Sequence, residues 1–192
     1  LVPGQSLGGG GAQTGRCQCS GPHCGGNGGG SVGSRDPNDK VGSRGAGTAQ
    51  YLVGAEPLRY SILFENVETA TAPAQEVIIT DQLDGSKVDF DTFSLGAISF
   101  GDKTVVPPPG LSQYSTSVDL RPAQDLLVLL RAGLDKTTGV ITWRLTSVDP
   151  ETLQFPEDPL AGFLPPNVNP PEGDGSVLFT VQPKVVGTPI CN

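Results

Sequence analysis

The chain contains no methionine, a single histidine, a single tryptophan, and no aromatic residue before Tyr51. Each shortage excludes something. Residues 1–47 hold most of the 27 glycines and lack large apolar side chains. Such a stretch cannot bury enough surface to offset the entropy of ordering it, so it is not an independent globular domain. The lone His23 falls inside it, so the rest of the chain can build neither a Ser/His/Asp set nor a Cys/His pair. An enzyme is not expected. No apolar run approaches the ~20 residues of a membrane helix, so no membrane span is expected. Lys and Arg number 12 against 20 Asp and Glu, for a net charge of −8. With no basic run either, the electrostatic footprint of a nucleic-acid partner is absent. Asn-x-Ser/Thr does not occur, so N-glycans at that motif are not expected. The start Leu1-Val2-Pro3 carries no signal-peptide pattern, and the chain is expected to be a fragment of a longer, processed one.

What is present after residue 47 is a series of β-like runs. Leu58, Tyr60, Ile62 and Phe64 alternate with Arg59, Ser61 and Glu65, the period-two pattern of a strand with one buried face. Residues 75–83 carry Val77, Ile78 and Ile79 and end in the turn-like Asp84-Gly85. Further runs lie at 90–95, 97–100, 113–120 and 140–148, the last with Ile141, Trp143 and Leu145 on one face. Residues 176–182 set Val177, Phe179 and Val181 inward, and Pro183 ends that strand because it cannot donate to a ladder. Leu126 to Leu130 suits a buried strand or a short helix, which periodicity does not separate. The turn residues 135–139 that follow favour a strand and hairpin. Residues 149–175 are rich in proline and form a long irregular loop of the kind that is functional or mobile. Short strands, turns and no convincing helix give an all-β, antiparallel sandwich over residues 48–192, preceded by a Gly-rich, Cys-containing extension over 1–47.

The four cysteines are Cys17, Cys19, Cys24 and Cys191. An even count in a loop-rich chain favours disulfides and an oxidising, extracellular compartment. Cys17 and Cys19 are too close to pair comfortably with each other, so one of the first three is expected to pair with Cys191. Zinc on Cys17, Cys19, His23 and Cys24 is the competing reading, weakened by irregular spacing. The runs Gly8–Gly11 and Gly25–Gly30 lack the Lys-Ser/Thr of a phosphate loop and serve as linker or as close-packing backbone.

Several segments together resemble the Asp-Pro-Asn-Asp-Lys repeat domain of large bacterial surface and secreted proteins. Asp36-Pro37-Asn38-Asp39-Lys40 matches its opening, and Tyr60-Ser61-Ile62-Leu63-Phe64-Glu65-Asn66 resembles its first long strand. Thr80-Asp81-Gln82-Leu83-Asp84, Phe93-Ser94-Leu95-Gly96 and Phe179-Thr180-Val181-Gln182-Pro183-Lys184 also fit. The resemblance covers residues 36–192. It implies an immunoglobulin-like sandwich in an exported protein, with no catalytic residues. The family pattern carries one more strand after a position like Asn192, and a sandwich lacking it is expected to offer an open edge to another chain.

The pentad Asp36 to Lys40 packs hard oxygen donors suited to calcium, with Asp36, Asn38 and Asp39 as ligands. It is also similar to the Asp-x-Asn-Asp core of the linkers between cadherin domains. The alternative is an Asx-turn that starts the domain, with Lys40 paired to an acid. Asp81 and Asp84 are further candidates for such a site. Trp143 is read as the core tryptophan of a sandwich rather than a sugar-stacking platform. Lys40 or Lys184 with Asn66 has the residue types of an internal isopeptide bond. The expected function is a structural module of an extracellular filament, sheath or adhesive stalk, working by self-association or with neighbouring domains. The alternative is an accessory module that binds carbohydrate or cell wall.

Overall fold

The computed structural model describes residues 38–43 and 56–184. Among them are nine strands and no helix. They form two antiparallel sheets packed face to face, a sandwich consistent with an immunoglobulin-like architecture. The five-stranded sheet has the order β1-β2-β9-β4-β5, and the four-stranded sheet has the order β3-β8-β7-β6. The first comprises β1 (Asn38–Gly42), β2 (Leu58–Glu65), β9 (Asp174–Pro183), β4 (Val88–Phe100) and β5 (Lys103–Val105). The second comprises β3 (Glu76–Gln82), β8 (Val140–Val148), β7 (Leu127–Asp135) and β6 (Gln113–Asp119). The Gly-rich extension before residue 38, and Cys191, lie outside the described residues.

Alternation of side chains explains the core. In β2, Leu58, Ile62 and Phe64 are buried, and in β9 so are Val177, Phe179 and Val181. Ile141, Trp143 and Leu145 of β8 meet them from the opposite sheet and are fully inaccessible. Trp143 lies 5.8 Å from the Phe179 ring, which in turn stacks on Tyr60 at 4.9 Å. Tyr60 is only partly buried, because it sits beside the edge strand β1. Leu126 to Leu130 resolves as the strand reading: β7 runs antiparallel to β8, and Leu130 pairs with Leu145. Gly139 closes that hairpin with a φ of 76°, a conformation that favours glycine.

Two runs that read as separate, at 90–95 and 97–100, are one strand. β4 spans 13 residues, with register irregularities against β9 between Asp89 and Ser94 and between Leu95 and Ile98. The second shifts the inward phase from Phe93 and Leu95 to Ile98 and Phe100. A phase change of this kind makes one strand look like two in sequence. β9 is hydrogen-bonded on both sides, to β2 and β4. The open edges among the described strands are therefore β1, β5, β3 and β6.

The proline-rich loop over residues 149–173 is pinned to the sandwich rather than free of it. Phe163 and Leu164 are buried, Phe163 edge-on to Phe100 at 5.2 Å. Leu164 bridges to Ala74. Buried Asn66 donates its side-chain amide to the carbonyls of Ala72 (3.0 Å) and Leu164 (2.9 Å). Asn167 donates to Glu65 (2.9 Å) and Asp174 (2.8 Å), and its carbonyl accepts from the Gly173 amide. These bonds satisfy polar groups that burial would otherwise leave without partners.

Candidate functional site

Two places on the sandwich gather charge. The first is the margin where edge strands β1 and β3 face each other across the two sheets. Lys40 pairs in register with Ile62, and Asp81 with Ile141, so both point to the inner face. The Lys40 ammonium meets the Asp81 carboxylate at 2.5 Å and lies 4.8 Å above the Tyr60 ring. The Asp81 side chain is only 14% exposed. Gly42 leaves room for the Tyr60 ring, since a Cβ there would stand 2.8 Å from Tyr60 Cε1. Burial, followed by the nearby Asp81 charge, raises the Tyr60 phenol above its ordinary pKa. Inward-pointing charges on edge strands discourage pairing with other chains, and this pair places them where they neutralise each other.

The expected calcium ligands divide. Asp36 lies outside the described residues. Asn38 and Asp39 lie in the extended strand β1, and Asp39 is exposed. Asp81 is committed to Lys40, and Asp84 accepts from the Ser86 amide and hydroxyl and pairs with Lys87. Among the described residues no three His, Cys, Asp or Glu side chains cluster as metal ligands. Cys17, Cys19, Cys24 and Cys191 all lie outside the described residues, as does His23. The isopeptide pairing is not assembled: Lys40 reaches Asp81, Lys184 donates to the Gly85 carbonyl at 2.6 Å, and Asn66 serves the loop. Trp143 is core, as expected.

The second place is the outer face of the four-stranded sheet. Alternation puts Arg131 of β7 and Arg144 of β8 on that face, both exposed, and the register sets them directly opposite each other. In the same cross-strand row stand Ile78 of β3 and Ser115 of β6. Thr142 and Thr146 flank Arg144 on β8, and Gly133 next to Arg131 keeps the face low there. Arg144 approaches Glu76 at 3.5 Å. Two concavities of ≈ 500 and ≈ 640 Å³ share both arginines. Leu153, Gln154 and Phe155 of the proline-rich loop wall the first. Leu153 has a φ of 57°, and its side chain and that of Phe155 are 59% and 54% exposed. Sequence alternation places each arginine outward, but only the strand register brings the two together.

Residues 36–108, which include β1 to β5, match a family described as a domain of unknown function (DUF7619). No curated protein matches the chain. No solved structure matches it either.

Proposed function

We propose that this chain is a non-catalytic structural module of an extracellular assembly, a spacer in a filament, sheath or adhesive stalk. The observation that carries this reading is the direction of its first and last described strands. β1 is antiparallel to β2, and β2 is antiparallel to β9, so β1 and β9 run the same way in one sheet. The chain enters at Asn38, level with Phe64 and Gly175, and leaves at Pro183, beyond the Leu58–Val181 pair. Entry and exit therefore lie at opposite poles, separated by about 27 Å of strand. Tension applied through the chain loads the β1–β2 and β2–β9 hydrogen bonds together, in shear, instead of peeling them one at a time. The Lys40–Asp81 pair ties β1 to the opposite sheet at the same margin. The resemblance to repeat domains of exported bacterial proteins agrees with this use. Disulfides through Cys17, Cys19, Cys24 and Cys191, and calcium at Asp36, Asn38 and Asp39, belong to the same proposal as devices that stiffen the joints.

Forced unfolding reports the unfolding barrier along the pulling direction, so it tests the idea directly. Single-molecule pulling through residues 38 and 184 should need a markedly higher rupture force than pulling that peels β6 from β7. Equal forces in the two geometries would count against a tension-bearing spacer.

A further inference from the structure

We infer that the outer face of the four-stranded sheet is a binding track for an acidic polysaccharide, one whose sugars carry carboxylates, centred on Arg131 and Arg144. Like charges directly opposite on neighbouring strands repel. Here two guanidinium groups occupy such a position in a chain of net charge −8. Among the described residues, Arg144 has only a distant partner in Glu76, and no ion pair holds Arg131. Planar forks with free donors match carboxylates in a two-bond geometry. The two concavities that share these arginines run along the face to either side of them, which suits a linear chain rather than a compact ligand.

The surroundings favour sugar over peptide. β7 and β8 are interior strands, bonded on both sides, so their backbones offer nothing to an added peptide strand. Donors along the face include the two guanidinium groups, the Thr142 hydroxyl and the Gln113 and Gln154 amides, while the Thr146 hydroxyl is committed to Glu76 at 3.2 Å. The exposed Phe155, which lines the same concavity as Arg144, supplies an apolar wall for the C–H face of a sugar. The chain's own undescribed segments offer little negative charge, because residues 1–37, 44–55 and 185–192 contain a single acidic residue, Asp36. The overall negative charge repels polyanions in general, so binding of one reports a local site.

Calorimetric titration of the full chain with polygalacturonate at low and moderate salt tests this. Binding is expected, with an affinity that falls as salt rises, while uncharged dextran gives no signal. Arg131→Gln and Arg144→Gln should each weaken binding about tenfold or more, the loss of one charge-assisted pair. Their melting temperatures should be equal to or above that of the unchanged chain, because the repulsion is relieved. Phe155→Ala should weaken polygalacturonate several-fold. Absence of binding, or unchanged binding by both arginine variants, overturns the site. Polyglutamate binding as well as polygalacturonate, with no effect of Phe155→Ala, overturns the sugar assignment in favour of an acidic peptide. A concentration-dependent dimer abolished by Arg131→Gln overturns it in favour of a second copy of the chain.

Discussion

Lys40 of β1 and Asp81 of β3 join the two sheets at their shared margin, ammonium to carboxylate at 2.5 Å above the face of Tyr60. Both occupy inward positions that strand alternation would otherwise give to apolar residues. The arrangement makes the two partners unequal. The Lys40 side chain is 36% exposed and the Asp81 side chain 14%. Lys40→Ala leaves a largely buried carboxylate unpaired, whereas Asp81→Ala leaves a cation that still has water and an aromatic face. Lys40→Ala should therefore be the more costly, by about 2–3 kcal/mol against about 1 kcal/mol for Asp81→Ala. A double-mutant cycle by urea unfolding should give a coupling of about 1 kcal/mol. A coupling near zero would mean that the pair does not tie the sheets.

Gly175 and Gly110 are each suited to glycine, one by close packing and the other by backbone conformation. A Cβ on Gly175 would stand 2.1 Å from the ring of its cross-strand partner Phe64, which is buried in the core. Gly110 has a φ of 83° and open space around it. Gly175→Ala should cost about 3 kcal/mol or more through displacement of Phe64. Gly110→Ala should cost about 1–2 kcal/mol, from backbone strain alone. Chemical denaturation of the two variants measures the difference, and a reversed order would contradict the packing described for β2 and β9.

Asn66 and Asn167 anchor the proline-rich loop by side-chain bonds. Replacing Asn66 with Ala leaves the Ala72 and Leu164 carbonyls without that donor in a buried setting, at about 2–3 kcal/mol. Amide hydrogen exchange should rise first within residues 149–173, while β7 and β8 keep their protection. Exchange that rises uniformly over the sandwich would mean that Asn66 supports the core as a whole and not the loop.

The pH dependence has two arms. The Tyr60 phenol is raised above its ordinary value of 10.0, first by burial and then by the Asp81 charge. The unfolded phenol ionises at about 10 and the folded one later, so stability present below pH 10 is lost as pH rises above it. Tyr60→Phe should remove part of that alkaline loss, seen in melting temperatures between about pH 9 and 11. On the acid side, Arg121 hydrogen bonds hold Asp119 at about 2. Asp135 is lowered by bonds from Thr138 and Thr137, and Asp149 by the Thr152 and Glu151 amides. Depressed carboxylates contribute stability above their unfolded value of 3.8, and this is lost as pH falls through the folded values. All three lie at the surface, so the loss between about pH 4 and 2 should be gradual and should shrink in added salt.

The amino-acid sequence by itself determined the sandwich. Alternation in residues 58–65, 140–148 and 176–182 named the faces that are buried, because a period of two has one physical meaning when one side of a strand meets water and the other does not. Turn chemistry at Asp135 to Gly139 favoured the hairpin for a similarly local reason, and the register of β7 on β8 settled it. Tertiary structure alone decided what depends on residues distant in the chain. Lys40 and Asp81 meet because β1 and β3 fall at the same margin of opposite sheets, and Arg131 and Arg144 meet because the register of β7 on β8 places them opposite. A bulge, which shifts phase without changing composition, hid the continuity of β4. The proline-rich loop showed its composition in sequence, but its order comes from Asn66 and Asn167, whose partners are chosen by packing.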